Sequence, residues 1–514
     1  MKRTLKYIFK TLLVLVLLIA MLVVSLYLPP IQKWAVGRLS TWAKKEAGFE
    51  LTVGSVRLTP LLDLRLENVH IEKAPTDIID VESAIVDLDL SRLLLLHVGV
   101  EAIELSQGNV HITELIESVA LDGKINNITL IADDIDLRKK SISVPVAMLD
   151  SCVLDIKLRE TSEDTSESSP IDWQIDVAKV RILQSRIALH LPNDTMRVSA
   201  SLREASLDAT GIDLSNAVYR IGNISIIADS LSYDIPSADS VMGLDVNHLA
   251  FSNVELKLDE LSYNQGSSAL HAQLRRLAFQ EKSGFRLDNL SVNFSLDSTH
   301  IAATGLDLRT QYSSATGNIN LDMDALSKDK RGNLKAELQA SLGSKDILCL
   351  AAAYLPMDLV KCYPDQPLNL NIDASGNVDT LSLQVCDMTM PSIIDVRTTG
   401  TLHNVADSVA LGADLRTDVT TMNLSCINRY LGLTDVHFPK MVFHADMRLR
   451  QASQISMDAL LLEGKGRAHL VGSIDLKSMV YQAKARITDL QLHDFLPQDS
   501  LYLLTAQAKL SGSG

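Results

Sequence analysis

The chain has 514 residues, a formal charge of −15, 46 % hydrophobic residues and only 4 % aromatics. That mix excludes a disordered chain, a polytopic membrane protein and a collagenous or linker-dominated one. The net acidity argues against a nucleic-acid binder, and five Cys are too few for a disulfide-built scaffold.

Residues 1–10 form a basic tail containing Lys2, Arg3, Lys6 and Lys10. Thr11 to Leu28 is an uncharged run whose helical length, roughly 27 Å, matches the hydrocarbon thickness of a bilayer. The spacing predicts a transmembrane helix over 11–28, with Leu12, Leu15, Leu18 and Leu22 in the anchor. The rival reading is a cleaved signal peptide, but Val24 to Leu28 offers no A-x-A-like site. No Cys precedes Cys152, so a lipid-modified anchor is excluded. Basic residues flank the run on both sides almost equally. The short tail favours a cytoplasmic N-terminus with the bulk exported, in a single-pass arrangement.

Pro29 and Pro30 stop the run, and residues 29–47 read as an amphipathic interfacial helix. Ile31, Trp34, Ala35, Leu39 and Trp42 recur at helical spacing, and indole rings favour the headgroup level. The other reading makes Trp34 and Trp42 a cap on the first sheet.

From Leu51 onward alternation replaces the helical period, as in Val198-Ser-Ala200-Ser-Leu202 and Val254-Glu-Leu256-Lys-Leu258. The fold class this predicts is mainly β: a long, twisted antiparallel β-groove of degenerate repeats following the N-terminal transmembrane helix. Residues 48–159 form a first β unit, 160–170 an acidic Ser-rich loop, 171–345 middle repeats and 346–514 further repeats. Strand-like sequence runs up to Leu510 with nothing resembling a cap, so the expectation is the front part of a longer groove.

An eight-residue pattern recurs: apolar, x, apolar, x, x, apolar, x, apolar. It places Leu64, Leu66, Val69 and Ile71 together, then Val98, Val100, Ile103 and Leu105, then Ile175, Val177, Val180 and Ile182. Further copies hold Leu244, Val246, Leu249 and Phe251, and Phe285, Leu287, Leu290 and Val292. A last copy from Ala485 supplies Ile487, Leu490 and Leu492. One extra residue, a bulge or bend, keeps both apolar pairs of each copy on one face, and these residues are the candidate groove lining. The starts fit a loose unit of about 35 to 40 residues. Asp122-Gly123, Thr316-Gly317-Asn318 and Ser375-Gly376-Asn377 read as turns, and helical patches are expected at Ala351 to Lys361 and Cys426 to Leu431.

No catalytic motif is present: neither HExxH, GxSxG, a P-loop nor CxxC. Gly464-Lys-Gly466 begins a dinucleotide fingerprint but lacks its third Gly, so a hairpin turn is the better reading. Asp322 and Asp324 lack the rest of a calcium loop, and His437 and His444 are a spaced pair of a kind common by chance. Cys349, Cys362, Cys386 and Cys426 cluster without zinc spacing; disulfides and free thiols are both open. The expectation is a non-enzyme without cofactor or metal.

A sheet with one aliphatic face that closes into a trough suits flexible acyl chains. Moving a phospholipid through water exposes roughly 30 methylenes, on the order of 24 kcal/mol, and an apolar trough removes most of that barrier. An ordinary sandwich core is the competing account. The order of a basic tail, a span, a Trp-bearing helix and then ELTVGSVRLTPLLDLRLENVHI from Glu50 resembles the N-terminal region of the AsmA-like superfamily, and within it the TamB family. DIIDVESAIVDLDLSRLL from Asp77 and VGVEAIELSQGNVHI from Val98 are similar to it as well, so the likeness covers about residues 1 to 115. It implies an inner-membrane-anchored periplasmic β-groove that conducts membrane phospholipids towards the outer membrane. The alternative it implies is an assembly factor acting with an outer-membrane barrel protein. It carries over no catalytic residue.

Overall fold

The computed structural model describes residues 28–42, 44–45, 49–59, 63–74, 77–88, 100–116, 119–132, 134–136, 141–159, 174–192, 195–213, 218–241, 243–264, 266–326, 332–351, 354–433, 435–498 and 500–513. The expected span, apart from Leu28, lies outside them, as do Val98 and the acidic loop 160–170. Among the described residues no helix is long and apolar enough to cross a membrane. The chain is mainly β: 25 described strands belong to one hydrogen-bonded sheet and three to another.

Helix α1 (Pro29–Trp42) opens on two prolines, whose missing N–H groups have no helical partner at that position. Ser40 donates its hydroxyl to the Leu51 carbonyl at 2.7 Å, fixing the helix to the first strand.

The chain divides into two compact units. The first takes in residues up to 212, with 221–239 and 247–254. Its opening strands are β1 (Glu50–Leu58), β2 (Asp63–Ala74), β3 (Asp77–Leu88), β4 (Val100–Ile116) and β5 (Val119–Ile131), an antiparallel meander. Short β6 (Asp134–Asp136) and β7 (Ser141–Val144) follow, then the collinear pair β8 (Val146–Asp150) and β9 (Val153–Leu158), both antiparallel to β5. β10 (Gln174–Val177) joins β7 and β6 in the three-stranded sheet. The chain then returns as β11 (Lys179–His190), parallel to β8 and β9 and antiparallel to β12 (Arg197–Asp213). β13 (Val218–Asp234) and β14 (His248–Asn264) are 17-residue strands.

The second unit holds residues 213–220, 240–246 and 255 onward. Its strands are β15 (Ala269–Glu281), β16 (Arg286–Leu296), β17 (His300–Thr310), β18 (Ser314–Asp322), β19 (Leu334–Leu342), β20 (Leu368–Gly376) and β21 (Thr380–Met390). They continue as β22 (Ile394–His403), β23 (Gly412–Thr421), β24 (Met441–Arg450), β25 (Gln454–Glu463), β26 (Gly466–Asp475), β27 (Val480–Gln491) and β28 (Leu503–Gly512). From β15 to β28 every strand pairs antiparallel with the next. The connections from odd to even strands therefore share one end of the unit. The short helices gather there: α2 (Ser344–Ala351) and α3 (Met357–Cys362) between β19 and β20, α4 (Ser425–Tyr430) between β23 and β24, and α5 (Leu492–Phe495) between β27 and β28.

Several expectations change. Asp122-Gly123 and Thr316-Gly317-Asn318 are not turns but lie inside β5 and β18. Gly317 is required by close approach, because a Cβ there would collide with the Glu337 carbonyl of the neighbouring strand. Ser375-Gly376-Asn377 does end a strand, with the Asn377 side chain accepting from the Thr380 N–H at 2.8 Å. Gly464 and Lys465 form a two-residue hairpin between paired Glu463 and Gly466, with Gly464 at φ 54°. The helical patch expected at 351–361 is two helices, the first beginning seven residues earlier at Ser344, with Pro356 before the second.

Candidate functional site

The candidate site is the apolar face of each unit, because that is where the sequence places its aliphatic residues. In unit 1 a row of directly paired residues runs across the strands through Val56, Leu66, Ala84, Leu105, Ile128, Leu149, Ile182 and Ala205. A second row holds Val53, Val69, Val81, Gly108 and Ile125. In every one of those five strands the two rows are three residues apart, a step that a regular strand cannot make on one face. Between them lie Gly54, Asn68, Glu82, Gln107 and Asn126, the level at which no residue is directly paired. Asn68 and Gln107 both take φ 53°, and further on Ser151 (φ 55°) and Gln184 (φ 45°) continue the line. The line is a crease, which turns the alternation over in neighbouring strands at once and leaves their register unchanged. Leu66, Val69, Val81 and Ala84 consequently form one buried cluster, with Leu51, Val53, Val56, Leu64, Ile71, Ile79 and Leu105 packed against it. Val110, Ile112, Ile125 and Cys152 form a second.

The eight-residue pattern coincides with this crease in β2, and elsewhere its break falls at other irregularities. Leu64, Leu66, Val69 and Ile71 are together as expected. Val100, Ile103 and Leu105 share β4, with a bulge at Glu101 between the paired residues Val100 and Ala102. Leu287, Leu290 and Val292 share β16 around a register shift at Asp288, and Ile487 and Leu490 share β27 around Asp489 at φ 50°.

Other members are not brought together. Ile175 and Val177 lie in β10 of the small sheet, whereas Val180 and Ile182 lie in β11 of the large one, because the chain changes sheets at Ala178. Leu244 and Val246 precede β14 in a turn; Val246 is 54 % exposed, and Leu244 donates its N–H to the Cys349 carbonyl. Leu249 and Phe251 begin β14 proper, and the turn over follows at Asn253, φ 52°. Phe285 sits in the turn before β16, its ring 6.3 Å from that of Phe279. Leu492 starts α5 and leaves the sheet. Trp34 is 64 % exposed with Arg38 5.7 Å from its ring, so it does not cap the sheet. The Trp42 side chain lies outside the described residues.

Unit 2 carries a patch that the eight-residue pattern touches only at its edge, in Ala485 and Ile487. Across β22 to β27 four parallel rows of paired residues share one face. They are Val396, Val419, Phe443, Leu461, Ala468 and Ile487; Thr398, Thr417, Ala445, Ala459, Leu470 and Ala485; Gly400, Leu415, Met447, Met457, Gly472 and Ala483; and Leu402, Ala413, Leu449, Ile455, Ile474 and Tyr481. None of the 24 positions is charged. At ordinary strand and residue spacings the patch measures about 24 by 20 Å. Its second row is floored by small side chains, with Ala445 and Ala459 buried. Strict alternation such as Val396-x-Thr398-x-Gly400-x-Leu402 is the signal that marks it, in contrast to the interrupted alternation of the eight-residue pattern.

The opposite faces are charged. His70–Asp80, His444–Asp418 and His469–Asp458 approach at 2.6 Å, and His111–Asp122 pairs likewise. Arg203–Asp229 and Arg276–Glu255 add cross-strand ion pairs. Asp80 holds the His70 imidazole above its usual pKa, chiefly through their hydrogen bond. His437 and His444 do not form a pair: His444 belongs to Asp418, and the His437 N–H bonds the Phe495 carbonyl. At the edge of the patch Glu463 is buried, its Oε2 has no hydrogen-bond partner among the described residues, and burial pushes its carboxyl pKa up. Among the described residues no three His, Cys, Asp or Glu side chains are grouped to hold a metal ion. No protein-family model matches the chain, and no curated protein matches it.

Proposed function

We propose that the chain is an AsmA-like protein of the TamB type, anchored in the inner membrane by residues 11–28. Its exported strands form a groove that conducts phospholipids between the inner and outer membranes. The observation that carries this reading is the charge-free patch of β22 to β27, whose rows run across the strands. An acyl chain lying along a row meets an apolar or small side chain at each strand, roughly every 4.8 Å. The crease of unit 1 serves the same end, because it sets two apolar rows that are three residues apart on one face. Exposed Trp34 beside Arg38 suits the headgroup layer next to the span.

The test is site-specific photocrosslinking in the full-length membrane-bound protein. Photoreactive residues at Leu66, Leu415 or Met457 give phospholipid adducts, whereas Glu67, Arg416 or Ser456 do not. Leu415→Asp with Met457→Asp stops lipid transfer between donor and acceptor vesicles. Inward positions that capture nascent outer-membrane proteins, on protein carrying no lipid, replace this reading with the assembly role.

A further inference from the structure

Two of the five cysteines are brought face to face. Cys362 closes α3 and Cys426 is the second residue of α4, helices that lie in connections on either side of β20 to β23. Their sulfurs stand 2.6 Å apart, and Cys362 Sγ is also 3.3 Å from the Cys426 carbonyl oxygen. That is far inside the contact distance of two unbonded sulfurs and about 0.6 Å beyond a disulfide bond. Of the other three thiols, Cys349 is engaged with Ser283 and buried Cys152 with the Asn127 and Asp150 carbonyls, while Cys386 lies within β21.

We propose that Cys362 and Cys426 form a disulfide that staples α3 to α4. This assignment rests on the geometry of unit 2 alone and is independent of what the apolar face carries. Formation needs an oxidant, which is a disulfide-bearing thiol oxidase or glutathione disulfide. The Cys362 thiolate attacks one sulfur of that disulfide and expels a thiolate. Cys426 then attacks the Cys362 sulfur of the mixed disulfide and expels the second thiolate. Two S–H bonds and the oxidant's S–S bond are lost, and the new S–S bond and two thiols on the oxidant are gained. The same balance holds with the two cysteines exchanged.

The bond closes a loop between residues 64 apart and ties the β19–β20 connection to the β23–β24 connection. It thereby pins the helices at one end of the strands that carry the charge-free patch.

The experiment uses the full chain, reduced, freed of reductant and incubated with glutathione disulfide. It is then alkylated, digested without reduction and read by mass spectrometry. The expected result is a linked peptide joining Cys362 to Cys426, with Cys152, Cys349 and Cys386 recovered alkylated. Cys362→Ser returns Cys426 to the alkylated pool, and hydrogen exchange in α3 and α4 quickens by tenfold or more when the wild-type bond is reduced. Recovery of both residues as alkylated or glutathionylated thiols overturns the proposal, as does a bond from either one to a different cysteine.

Discussion

Leu66 and Val69 stand three residues apart on β2 and are both buried on one face of the sheet, while Glu67 and Asn68 between them are exposed. Regular alternation sends residues at that spacing to opposite faces. The left-handed backbone of Asn68 returns the second to the side of the first, and the neighbouring strands make the same step at the same level.

Asn tolerates φ near 53°, whereas a β-branched residue does not. Asn68→Val is expected to cost about 1–2 kcal/mol and Asn68→Gly little. Hydrogen exchange of β2 and β3 amides reads the difference as roughly a 5- to 30-fold loss of protection in the valine variant alone. Equal protection in the two variants removes the crease as the cause of the burial.

The small-residue row of unit 2 gives a graded test. Ala459 is only 1 % exposed, whereas Ala508, two strands beyond Leu470 in the same row, is exposed. Ala459→Leu overpacks the face and is expected to destabilise unit 2 by about 1–3 kcal/mol, with Ala508→Leu neutral. Denaturant titration followed by hydrogen exchange within β24 to β26 distinguishes them.

The His70–Asp80 pair has a defined pH signature. Its raised imidazole pKa means the folded chain binds the proton more tightly than the unfolded one. The stability it contributes is fully present below about pH 6.5 and is lost as pH rises through the folded value. Both side chains are substantially exposed, so the contribution stays below about 1 kcal/mol. A proton-NMR titration of His70 is expected to lie above 6.5 in the wild type and to fall in Asp80→Asn.

Glu463 has the opposite sense. Burial raises its carboxyl pKa and the nearby Asp494 adds to the shift, so ionising it opposes folding. Stability therefore falls as pH rises from the unfolded value through the folded one. Glu463→Gln is expected to leave stability unchanged in acid and to increase it at neutral pH. Paired melting curves at pH 3.5 and 7.5 read the effect as a Tm difference that appears only at the higher pH.

Much of the fold was legible because it rests on short-range alternation. Leu64 to Ile71 announces a crease by its two polar residues between apolar pairs, and Gly464-Lys465 announces a hairpin. The rest depended on partners outside any short window. Val53-Gly54-Ser55-Val56 and Ile125-Asn126-Asn127-Ile128 carry the same crease, but the repeat is complete only when the strands stand side by side. Leu244 and Val246 match the pattern by accident, in a turn that Asp245 anchors through the Val241 N–H. Gly317 reads as a turn residue, yet its need for space comes from Glu337 on the next strand.

In an evenly alternating sheet, a strand that slips by two residues keeps its apolar face and loses little, so one register competes with the next. The crease ends that degeneracy. A slip of two would set the Asn68 level against a regular stretch of β3 and send half of the strand's aliphatic residues into water. Each creased strand thus carries a mark that only one alignment with its neighbour satisfies. A single-residue insertion on either side of the mark is expected to be tolerated far less well than one in the connections.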